Sequence, residues 1–150
     1  FDYMRENGVY DNTRIILVAD HGRGLYLNWD RVIDNGPDTD FFFPLLMVKD
    51  FNAKGFSFSD TFMTTADVPT LATSGLIDNP TNPFTGNAIN ANAKYDRPFY
   101  AFMSYDWDTS KNNGNQFFPG TWYRVDNQNA RDKRNWVMVG ENTVLPDALR

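Results

Sequence analysis

The chain has 150 residues, a formal net charge of −5 from 14 basic and 19 acidic residues, and no cysteine. That length supports one folded domain with a core. An acidic balance without a basic run argues against nucleic acid, whose binding rests on Lys and Arg neutralising phosphates. The missing cysteines remove disulfides, thiolate metal sites and thiol nucleophiles from this chain.

Phe1 to Asn7 has helix-compatible residues with Phe1 and Met4 at i, i+3 spacing, and Gly8 follows as the expected stop. Asp11-Asn12-Thr13 is a turn. Ile15 to Ala19 is an unbroken apolar run bounded by turn residues, which predicts a strand buried on both faces of a parallel sheet. With the helix before it, this run reads as the second half of a βαβ unit. Because its first half is missing, the chain is expected to be a piece of a longer protein. Ligands of open α/β sheets sit beyond the carboxyl ends of the strands. Asp20, His21 (the single histidine) and Gly22 occupy that position here.

Arg23 to Asp40 is polar and rich in turn formers, so it reads either as a loop that shapes a ligand site or as a surface excursion. Phe41 to Val48 predicts a second strand whose ladder starts after Pro44, and Gly55 to Phe58 alternates like a third, brief one. Thr64 to Ala72 predicts a helix with Asp67 capping free amides, Pro69 in its first turn and Gly75 ending it. Ile77 to Ala93 reads as a surface loop. Alternation returns at Pro98 to Tyr105, Thr121 to Val125 and Asn135 to Val139, which predicts an antiparallel meander. Ser110 to Gln116 is an expected exposed turn. Lys133-Arg134 is a short basic pair on a solvated turn.

An adjacent carboxylate and imidazole form half of a divalent-metal site, because oxygen and nitrogen donors suit zinc or manganese. A catalytic zinc takes three protein ligands. With no other His and no Cys, further ligands must be carboxylates or lie outside the chain.

Three motifs then stand in order: Asp-Asn-Thr, the apolar strand and Asp-His-Gly; Pro44-Leu45-Leu46; and Asp67-Val68-Pro69-Thr70-Leu71. Together they resemble the C-terminal part of the catalytic domain of the alkaline phosphatase/sulfatase superfamily. The branch they resemble most holds lipoteichoic acid synthases and membrane-anchored phosphoethanolamine transferases. The resemblance spans residues 1–90. It implies the C-terminal part of a three-layer α/β/α sandwich over 1–95, with a small antiparallel β-rich subdomain over 96–150 packed on it. It also implies a parent enzyme that hydrolyses or transfers sulfate or phosphate esters, including phosphoglycerol or phosphoethanolamine groups.

By position, Asp20 and His21 would ligate a divalent metal (Mn, Zn, Mg or Ca). The nucleophile and remaining ligands would lie upstream, leaving this piece inactive alone. The parent would stand on the outer or periplasmic face of the cytoplasmic membrane, held there by segments absent here. The chain departs from the phosphoethanolamine transferases in carrying Arg23 where they commonly have Glu, and in lacking their second His. Arg23 can instead contact an anionic ester, as guanidinium binds such groups bidentately.

A different class of function is suggested by Trp107, Trp122, Tyr123 and Trp136 among Asn, Gln and Asp. Such aromatics would serve a non-catalytic glycan- or polymer-binding module. The same residues at strand spacing equally suit a core.

Overall fold

The structure is a computed structural model and describes residues 1–89, 94–104, 118–127 and 129–149. The sequence-based expectations for Asn90 to Ala93, Tyr105, Trp107 and Ser110 to Gln116 lie outside the described residues. The chain mixes helix with antiparallel strand, the broad α/β class expected. It divides into two units. Phe1–Gly22 with Phe43–Lys94 form the first, and Arg23–Phe42 with Tyr95–Arg150 the second.

In the first unit, helix α1 (Asp2–Glu6) ends through Asn7 into Gly8, whose φ of 67° is the left-handed stop that glycine supplies without a Cβ penalty. Strand β1 (Ile15–Val18) pairs with β2 (Leu46–Lys49) in register Ile15↔Lys49, Ile16↔Val48, Leu17↔Met47 and Val18↔Leu46. The pairing is antiparallel, which corrects the parallel expectation. An apolar run specifies burial, but the direction of a strand's neighbour is fixed by distant chain. Double burial fails as well. Leu17 and Met47 on one face, and Val18 and Val48 on the other, stay 41–57% exposed. Pro44 lies outside the ladder as expected, and the Ala19 N–H extends it by donating to the Leu45 carbonyl at 3.0 Å.

Gly55 to Phe58 forms no strand. Phe56 and Phe58 instead meet edge to face at 5.0 Å while both remain exposed. A 3₁₀ turn (Thr65–Asp67) leads into α2 (Val68–Thr73), with Pro69 in its first turn, Ser74 as its cap and Gly75 at φ 74° just beyond.

Asp67 is buried and does more than cap. Its carboxylate accepts from the Thr64 N–H at 3.0 Å, from Asn82 Nδ2 at 2.8 Å and from Lys94 Nζ at 2.9 Å. Burial alone would raise its pKa, but these three donors outweigh it and hold the carboxyl below its ordinary value. Asn82, also buried, closes its own loop by accepting from the Phe84 and Thr85 N–H groups. Among the described residues, the buried side chains of the first unit are Asp67, Thr70 and Asn82, all of them polar.

The second unit carries the apolar core. Strands β3 (Phe99–Met103), β4 (Gly120–Val125) and β5 (Trp136–Thr143) form an antiparallel sheet in that order, as the alternation predicted. Tyr123, Val125 and Trp136 are buried, with Ile33, Phe42, Phe99, Ala101 and Ala130 packed against them. The rings of Phe42 and Tyr123 meet Trp136 at 4.9 and 5.9 Å. The Trp136 indole N–H donates to the Ala130 carbonyl at 2.8 Å. Trp136→Phe is expected to lower stability by about 1–2 kcal/mol, through lost ring area and an orphaned carbonyl. Urea denaturation followed by far-UV circular dichroism checks it, and an unchanged midpoint would contradict it.

Candidate functional site

Asp20 and His21 follow the last ladder bond of β1, so the strand delivers both side chains at its carboxyl end. Both are solvent-facing, with side chains 90% and 64% exposed. Local geometry organises them. Asp20 Oδ1 accepts from the His21 N–H at 2.9 Å, which turns the carboxylate back toward the imidazole. His21 Nδ1 lies 2.6 Å from the Gly22 carbonyl oxygen. A carbonyl can only accept, so that contact puts the ring proton on Nδ1 and leaves the Nε2 lone pair free.

His21 Nε2 stands 3.8 Å from Asp20 Oδ1. Zinc takes nitrogen and carboxylate oxygen at about 2.0–2.2 Å, so two donors on one ion lie at most about 4.2 Å apart. Their separation is therefore within the span that one divalent ion can bridge. Among the described residues, no group of three or more His, Cys, Asp or Glu gathers to complete a site. Among the described residues, Asp20 and His21 stand as a pair with no third His, Cys, Asp or Glu beside them.

Arg23 is the first residue of the second unit. It is exposed and makes no ion pair among the described residues. The segment after it is locked within that unit by Asp38, which accepts from the Tyr26 N–H at 2.9 Å and the Asp40 N–H at 3.0 Å while only 1% exposed. That grip holds Tyr26 at φ 53°, a conformation costing an aromatic residue about 1–2 kcal/mol. A Cβ at Gly24 would fall 2.6 Å from the Phe41 ring, so only glycine fits there. The sequence marks Asp38 only as a turn former, which suits its bond to the Asp40 N–H but not its bond to Tyr26, twelve residues back.

Two of the aromatics that suggested a polymer-binding surface, Tyr123 and Trp136, are core residues at 4% and 6% exposure. Trp122 packs on Phe102 at 4.9 Å.

Among the described residues, no helix is long and apolar enough to cross a membrane. Comparison of the chain with protein-family models, with curated proteins and with solved structures finds no match.

Proposed function

We propose that this chain is the C-terminal part of a metal-dependent, sulfatase-like hydrolase or transferase acting on sulfate or phosphate esters. Asp20 and His21 would supply two ligands of its divalent ion. The carrying observation is the pair's delivery by one strand end, with the free imidazole nitrogen 3.8 Å from the carboxylate. The β1–β2 sheet lends support: apolar side chains half-exposed on both faces are what a sheet needs for helix layers on each side, as in a three-layer α/β/α sandwich. The missing layers, the remaining ligands and the nucleophile would come from residues outside these 150. By the same resemblance, the parent would work at the outer face of the cytoplasmic membrane.

In this reading His21 binds as the neutral ring, and the Gly22 carbonyl holds its orientation through Nδ1. Asp20 brings the negative charge. A bound ion would polarise the ester oxygen. By the same resemblance, Arg23 would contact an anionic ester group.

Because His21 is the single histidine, its ring resonances report on the metal without ambiguity. Titration with Zn²⁺ or Mn²⁺ is expected to perturb them weakly, and Asp20→Ala should weaken that response by about tenfold or more. Equal affinity in Asp20→Ala would overturn the paired-ligand assignment. The 150-residue chain should not turn over aryl phosphate or aryl sulfate esters. Measurable turnover would contradict the placement of the nucleophile outside it.

A further inference from the structure

Pleated strands ordinarily find their register in one of two ways. Either one face is apolar and the other polar, so that a one-residue slip exposes the wrong set, or a short hairpin turn fixes the pairing. The β1–β2 sheet has neither device. Ile15, Leu17 and Met47 on one face and Ile16, Val18, Leu46 and Val48 on the other are all apolar, and none is fully buried. The connection between the strands is the long run from Ala19 to Leu45.

Two cations stand at the opposite end of the sheet from Asp20. The Arg14 side chain is only 10% exposed. Its Nε and Nη2 each approach Asp50 Oδ1 at 2.9 Å, just beyond β2. Its Nη1 donates to the carbonyls of Leu71, Ala72 and Ser74 at 2.9, 3.1 and 2.6 Å, at the end of α2. Lys49, the last residue of β2, donates to the carbonyls of Tyr10, Asp11 and Thr13 just before β1, and sits over the Tyr10 ring at 4.4 Å. Each cation reaches across from one strand to the segment bordering the other. A slip of one residue moves Arg14 away from Asp50, and Lys49 away from its carbonyls, by about 3.4 Å.

We propose that Arg14 and Lys49 are positioning residues that pin the β1–β2 register and thereby fix which β2 residues stand beside the Asp20–His21 end of β1. Their functional meaning rests on the metal reading above, but their action on the register does not.

The chain has no cysteine, so introduced pairs can trap the register directly. Cross-strand partners lie about 4.5–5.5 Å apart at Cα, within disulfide range, whereas neighbours on opposite faces point their Cβ atoms apart. Three double variants are oxidised: Leu17→Cys with Met47→Cys, with Leu46→Cys, or with Val48→Cys. In the otherwise native chain only the first should close. Adding Arg14→Ala and Lys49→Met should let one of the slipped pairs close in at least about tenfold higher yield. A folded variant that still closes only the 17–47 pair overturns the proposal, since a merely stabilising role would leave the trapped pair unchanged.

If that background does not fold by circular dichroism, Arg14→Lys replaces it, because a lysine cannot span Asp50 and three carbonyls. The same two outcomes then decide. Zn²⁺ titration of His21 in the native chain is read separately. Absent binding would sink the metal reading while the trapping result still judges the pins.

Discussion

Lys94→Met should destabilise the first unit by about 3–5 kcal/mol, the usual cost of leaving one member of a buried ion pair alone. Asp67 is 1% exposed and Lys94 13% exposed, so water cannot take over the lost partner. Asn82 and the Thr64 amide would remain, but neither carries charge. The pH dependence has a definite sign. In the native chain the Asp67 carboxyl titrates below its unfolded value. Its stabilisation is therefore present above about pH 4 and is lost as pH falls through the lower folded value. Without Lys94, the charge that helps lower this pKa is lost and the carboxyl titrates higher than in the native chain. The gap between variant and native chain should then narrow on acidification. Urea midpoints between pH 3 and 7 measure it, and a gap that stays constant across that range would rule out the ion pair as its cause.

Gly120→Ala should cost about 3 kcal/mol in the second unit, at the upper end for overpacking. Gly120 opens β4, the central strand, opposite Thr143 of β5. A Cβ there would overlap the Met103 carbonyl oxygen and come within 2.7 Å of two Phe102 ring atoms. The ring can turn aside, but the carbonyl belongs to the β3 backbone, so relief requires the strands to part. Denaturation followed by tryptophan fluorescence reads the loss, since Trp122 and Trp136 lie in this sheet. A midpoint within experimental error of the native one would show that the edge of β3 yields without cost.

These effects differ in how far the sequence announces them. The meander was legible because Pro98 to Tyr105 and Thr121 to Val125 read as alternating segments, and β3 and β4 fall on them. Helix stops at Gly8 and Gly75 were legible because backbone chemistry decides them locally. The direction of β1's neighbour was not, since Ile15 to Val18 would look the same in either sheet. Nor did alternation at Gly55 to Phe58 suffice: a strand needs a partner, and the two rings found each other instead.

The candidate site divides in the same way. Asp20 and His21 stood out because they end an apolar run. Arg14, Lys49, Asn82 and Asp38 did not, because each also bonds to chain 12 or more residues away. Asp67 fell between: its contact with Thr64 is local, while its ion pair with Lys94 spans 27 residues.

The polar interior of the first unit has a thermal consequence. The heat capacity of unfolding grows with apolar area exposed, by about 0.45 cal/K/mol per Å², and shrinks with polar area, by about 0.26. Asp67, Thr70 and Asn82 contribute mainly to the second quantity, while Leu17, Val18, Met47 and Val48 are already partly hydrated in the folded state. These residues therefore add little to the heat-capacity step on unfolding this unit. Tyr123, Val125 and Trp136 add to that step in the other unit, where the buried Asp38 and Thr39 subtract from it.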